Sequence, residues 1–155
     1  MIHTRLLLTL VALSGTALAH GPGTAIRVPG GPYSQVTPQA LEAQLSGKDF
    51  ILINVHVPCE GELQGTDLFL PFDQVQGSPR LPRAKTTELV IYCRSGPMSE
   101  LAARALVRRG YTNVRELRGG MNAWTAAGFG LNVASGASSA RPIAMPAVSV
   151  PGGQP

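Results

Sequence analysis

Two runs of apolar, β-branched residues dominate the hydrophobic pattern of this chain. Phe50 to Val57 reads FILINVHV and Leu89 to Cys93 reads LVIYC. Neither alternates with polar residues, which suits parallel strands buried on both faces. Helical spacing surrounds them. Thr37-Pro38 supplies an N-cap and a first-turn proline, Leu41 and Leu45 share a face, and Gly47 stops the helix. After the second run come a Gly/Ser/Pro loop and a helix whose expected apolar stripe is Leu101, Ala102, Ala105 and Leu106, with Arg104, Arg108 and Arg109 on a solvated face and Gly110 as C-cap. Tyr111 to Leu117 predicts a short strand, and Gly119 to Trp124 opens a last helix pinned by the indole. A further short strand is expected near Phe69, with at most a short helix between Asp73 and Lys85. Strands alternating with helices predict an α/β fold, with a mainly parallel central sheet and helices on both faces.

The ends of the chain read differently. Residues 1–19 have a short basic start (His3, Arg5), an apolar run from Leu6 to Leu13 and the small-x-small triplet Ala17-Leu18-Ala19, the pattern of a cleaved signal peptide. Export to a periplasm or to the outside of a cell is the expected localisation. Residues 20–32 carry enough Gly and Pro to predict a flexible extended arm, and residues 131–155, rich in Ala, Ser, Gly and Pro, predict a disordered tail. One folded domain over residues 33–130 remains.

Composition narrows the function. The 155 residues carry a formal net charge of +4, and loss of residues 1–19 removes only Arg5 from the thirteen basic residues. That surplus is too small to argue for nucleic acid. His20 and His56 have no spaced partners, so no metal site is expected, nor any cofactor. Cys59 and Cys93 both lie beyond the signal peptide, one possible disulfide pair in an oxidising setting.

Cys93 stands at the hinge between strand and helix. Unpaired N–H groups and the partial positive charge of a helix N-terminus favour a thiolate there, which makes the sulfur a candidate nucleophile; the plain alternative is a small buried hydrophobe. Cys93-Arg94-Ser95-Gly96-Pro97-Met98-Ser99, preceded by VIY and followed by an Ala-rich helix, resembles the active-site loop of rhodanese-like sulfurtransferases. The downstream pattern GY-x-N-V-x-x-L-x-GG-x-x-x-W, from Gly110 to Trp124, resembles the C-terminal signature of that family. Upstream, Asn54-Val55-His56 stands where the family has Asp-Val-Arg, Glu60 or Glu62 where it has an acidic residue, and Gly65-Thr66-Asp67 where it has Gly-His-Ile.

The resemblance implies a sulfurtransferase. Cys93 would take a sulfane sulfur from thiosulfate or a persulfide and pass it to a thiol or cyanide, with Arg94, Ser95, Gly96, Pro97, Met98 and Ser99 forming the substrate loop. A protein persulfide is an implied partner; nucleic acid and membrane are not. Backbone N–H groups curling round the sulfur form the anion cradle, less the one that Pro97 lacks. A cysteine phosphatase needs Arg six positions after Cys, where this chain has Ser99. Many sulfurtransferases of the family carry Arg or Thr five positions after Cys, where it has Met98, so weaker use of thiosulfate is expected. Two other readings stay open: a redox pair of Cys93 with Cys59 across the strand ends, and a rhodanese-like binding module without turnover.

Overall fold

The computed structural model describes residues 23–133. The signal-peptide reading, and the tail from residue 134 on, lie outside them. Six strands form one sheet: β1 (Thr24–Val28), β2 (Gly31–Val36), β3 (Ile51–Asn54), β5 (Leu68–Phe69), β6 (Leu89–Tyr92) and β7 (Val114–Leu117), in the order β1-β2-β7-β6-β3-β5. β1 and β2 pair antiparallel and every other neighbour pairs parallel. Among the described residues, no helix is long and apolar enough to cross a membrane.

The central strand explains the unbroken apolar runs. Along β6, side chains alternate between faces, and both faces are covered. Leu89 and Ile91 join Ile53, Val55, Ala102, Ala103 and Leu106 in one core, under helix α2 (Pro97–Arg108). Val90 and Tyr92 join Leu52, Leu41, Leu117, Met121 and Trp124 in the other, under α1 (Pro38–Leu45) and α3 (Gly120–Ala126). At the start of α1 the Thr37 hydroxyl accepts from the Ala40 N–H, as an N-cap should. The α/β expectation, with helices on both faces, is met.

Four expectations are corrected. Residues 24–28 are not a flexible arm but the edge strand β1, because Pro29-Gly30 is a turn and not merely a breaker. Val28 opposes Gly31 across it, and Gly30 takes φ 101°, near the positive value that the second central residue of a type II turn requires. The tail likewise begins later than expected. Leu131–Asn132 (β8) pairs antiparallel with Glu62–Leu63 (β4), tying the segment after α3 to the loop beyond β3.

On α2 the buried stripe is Ser99, Ala102, Ala103, Ala105, Leu106 and Val107, while Leu101 is 54% exposed. Ser99 sets the phase, and a residue two positions on points roughly 200° away. Arg109 leaves the solvated face: its Nη1 donates to the Val75 carbonyl at 2.5 Å and fastens the turn before β6.

Tyr92 closes β6 with a buried phenol. Its oxygen accepts from the Leu63 N–H at 3.0 Å and lies 2.7 Å from the Thr66 hydroxyl, so the loop after β4 hangs on it. Burial pushes the phenol well above its ordinary value, against those two hydrogen bonds. A raised folded-state value for an acid means that its stabilisation is complete below the unfolded value of about 10 and is lost as pH rises beyond it. Tyr92→Phe, which leaves the Leu63 N–H unpaired, should cost about 1–3 kcal/mol in urea unfolding at neutral pH. The stability gap to wild type should narrow above about pH 10, where only the wild type has this phenol to ionise. A constant gap across that range would show that the phenol does not titrate on unfolding.

Candidate active site

The loop between β6 and α2 is shaped by backbone demands that its sequence meets. Gly96, the N-cap of α2, has φ 123°, a conformation that L side chains rarely adopt, and Pro97 takes the first helical position where no N–H is needed. The turn brings the Gly96 N–H to 3.1 Å from the Cys93 sulfur. The Ser99 hydroxyl reaches the same sulfur at 3.5 Å from one turn into the helix. From the other side α3 holds the loop: the Met121 and Asn122 N–H groups donate to the Cys93 and Arg94 carbonyls, each at 2.9 Å. Gly120 lets that helix approach so closely that a Cβ there would lie 2.2 Å from the Cys93 carbonyl oxygen.

The substrate-loop residues separate by position. Gly96 and Ser99 reach the sulfur, while Arg94, Ser95 and Pro97 face solvent and Met98 packs half-buried against the core. Cys93 itself is 1% exposed, at the floor of the loop. Arg94 is already paired, its Nη1 lying 2.9 Å from each Glu60 carboxylate oxygen, and His56 Nε2 is 3.3 Å from Glu60 as well. A cavity of about 170 Å³ opens beside this pair, lined by Glu60, Arg94, Met121, Asn122, Thr125 and Leu131.

Residues that depart from the family pattern do local structural work. Asn54 donates from Nδ2 to the Gly61 carbonyl at 2.9 Å and accepts the His56 N–H at 3.0 Å, which fastens the loop carrying Cys59 and Glu60. Thr66 bonds the Leu63 carbonyl at 2.8 Å, and Asp67 accepts the Leu52 N–H at 2.7 Å. Cys59 is an exposed free thiol and Cys93 a buried one.

The sequence reading missed Glu116. It is 2% exposed on β7, accepting the Ser99 hydroxyl at 2.7 Å and the Gln35 carboxamide at 3.0 Å directly behind the cysteine. One signal was available: in a strand it shares a face with Val114, an apolar position that packs in the core under α2. Nearby, burial first and the Glu116 carboxylate second push the Tyr33 phenol up.

Comparison with known proteins agrees with the fold. The family model described as Rhodanese-like domain matches residues 37–127. The chain is 32% identical over 101 residues to a protein named Sulfurtransferase from Allochromatium vinosum, covering 62% of this chain and 92% of that one. It is also 32% identical over 97 residues to the probable adenylyltransferase/sulfurtransferase MoeZ of Mycobacterium tuberculosis, covering 59% of this chain but only 24% of that longer protein. Among solved structures, a rhodanese-like domain from Anabaena superposes with TM-score 0.57 at 20% identity, covering 77% of this chain and 92% of that one. A rhodanese-like domain protein from Staphylococcus aureus gives 0.54 at 24%, covering 65% and 98%.

Proposed function

This chain belongs to the rhodanese-like domain family, and from that premise we propose that it is a sulfurtransferase working through a persulfide on Cys93. The observation that carries the reading is the cysteine sulfur at the N-terminus of α2, with the Gly96 N–H at 3.1 Å and the Ser99 hydroxyl at 3.5 Å. Donors so placed favour a thiolate and the extra negative charge of a persulfide. With thiosulfate, the Cys93 thiolate attacks the outer sulfur, a new Sγ–S bond forms, the donor S–S bond breaks, and its electron pair leaves on sulfite. A thiol or cyanide acceptor then takes the outer sulfur and returns the thiolate. A protein persulfide is an alternative donor. Residues 1–19 support export to a periplasm or beyond the cell.

Intact-mass spectrometry after exposure to thiosulfate or glutathione persulfide tests the proposal. Wild type should gain one sulfur, about 32 Da, lost on cyanide treatment with release of thiocyanate. A loss of two hydrogens across Cys59 and Cys93 would replace the reading with a thiol-redox one, and no mass change would leave a binding module.

Thiosulfate should be a poor donor, because Glu60 occupies the Arg94 guanidinium and Met98 offers no charge to a dianion. Met98→Arg should lower the KM for thiosulfate about tenfold, equivalent to about 1.4 kcal/mol, with a smaller effect for an uncharged persulfide donor. An unchanged KM would mean that anion binding is not what the loop lacks.

A further inference from the structure

A second cavity, of about 310 Å³, lies toward the β1 side of the sheet, bounded by β1, β2, β7 and the start of α1. It sits at the carboxyl ends of the parallel strands β2 and β7, where Val36 and Thr37 leave one strand and Arg118 follows the other. That is the end at which open α/β sheets hold ligands, and the volume is at the lower end of small-molecule sites. No residue that borders the cavity beside Arg94 borders this one.

The lining is rich in hydrogen-bond donors and holds no carboxylate. Arg115 is already neutralised: its Nε lies 2.8 Å from Glu88 Oε1, and its Nη2 donates to Gln44 Oε1 at 2.7 Å. That bond uses the Gln44 oxygen and leaves its amide hydrogens to give. Among the described residues Arg118 forms no ion pair, while its backbone N–H, donating to the Val36 carbonyl at 2.9 Å, fixes it at the end of β2. Thr37 Oγ1 accepts the Ala40 N–H at 3.3 Å, so the hydroxyl proton is left for another acceptor. Val36 and the Ala40 methyl add an apolar surface.

We propose that this cavity binds a small organic monocarboxylate, anchored by Arg118 with Thr37 and Gln44 and resting its hydrocarbon part on Val36 and Ala40. A guanidinium presents paired N–H groups that match the two oxygens of a carboxylate. The lining holds one uncompensated cation, so a single negative charge balances it; a dianion would keep a charge without a partner, and a cation would meet no counter-charge. The site is separate from the cysteine and does not rest on sulfur transfer. Gln35 stands between the two, bordering this cavity while its carboxamide donates to Glu116 at 3.0 Å.

The test is a titration of isotope-labelled wild type at neutral pH, followed by amide-resolved NMR, with benzoate, phenyl phosphate and benzylammonium as probes. The three share an aromatic ring and differ in charge. Benzoate should move the Thr37, Ala40 and Arg118 amides saturably, phenyl phosphate should bind more weakly, and benzylammonium should leave them in place. Arg118→Gln should weaken benzoate by about tenfold or more, because a charge-assisted pair is lost. Ala40→Leu keeps every charge and a strong helix former but fills the cavity, and should abolish binding. Arg83→Gln removes an exposed arginine that borders neither cavity and should bind as wild type does. No saturable movement, equal weakening in the two arginine variants, full binding to Ala40→Leu, or tighter binding of either other probe than of benzoate would each overturn the proposal. The same spectra report whether each variant is folded, and the arginine pair decides alone if Ala40→Leu is not. Binding is read without turnover, so a failure of Cys93 to gain sulfur would sink the sulfurtransferase reading and leave this one standing.

Discussion

Cys93→Ser should take up no sulfur from thiosulfate or glutathione persulfide and should lose transfer to cyanide by roughly a thousandfold or more, while unfolding within about 1 kcal/mol of wild type. The hydroxyl fits the space: the side chain is 1% exposed, and the Gly96 N–H and Ser99 hydroxyl can donate to oxygen as they do to sulfur. Serine cannot, however, present a soft anion at neutral pH, nor hold an outer sulfur in a bond that a thiol readily breaks. Intact mass with a cyanide challenge reads the first expectation and urea unfolding the second. Sulfur retained on the serine variant would move the chemistry to Cys59, the exposed thiol.

Gly120→Ala should be the most damaging single methyl in the described domain. The residue has φ +57°, and an added Cβ would lie 2.2 Å from the Cys93 carbonyl oxygen and 2.8 Å from the Arg94 carbonyl. These are backbone atoms, which have no rotamer to yield. The left-handed conformation costs an L residue about 1–2 kcal/mol, and forcing α3 back breaks the Met121 and Asn122 hydrogen bonds to the loop, for about 3 kcal/mol or more in total. In a domain of this size that lowers Tm by about 12 °C or more. Sulfur loading should fall further than stability does, because the lost bonds are those that fix the cysteine turn. Gly47→Ala is the control: nothing lies within 4 Å of its added Cβ, and its stability should stay within about 0.5 kcal/mol of wild type. Equal Tm values for the two variants would show that the helix moves aside without cost.

Much of the fold could be read along the chain because the residues report on their own surroundings. The runs around Leu52 and Val90 are apolar on both faces because helices cover both faces of β3 and β6. Thr37-Pro38 and Gly96-Pro97 mark helix starts by backbone chemistry that needs no distant partner. Where the reading failed, a local signal had two meanings. Pro29-Gly30 breaks a helix and also turns a hairpin, and only the pairing of β1 with β2 chooses between them. Leu101 is as apolar as Leu106, and only the docking of Ser99 against Glu116 sets which of them faces the core.

The sequence by itself determined the alternation of strands and helices, the loop from Cys93 to Ser99 and the closing pattern that ends at Trp124, because propensity, capping and turn chemistry act within a few residues. Only the fold decided which groups hold the cysteine loop from outside it. Glu116 comes from 23 positions further along the chain than Cys93, Glu60 pairs with Arg94 from 34 positions away and Gln35 bonds Glu116 from 81 away. Such separations leave no periodic trace; a parallel sheet brings the partners together because its strands run side by side whatever their order in the chain.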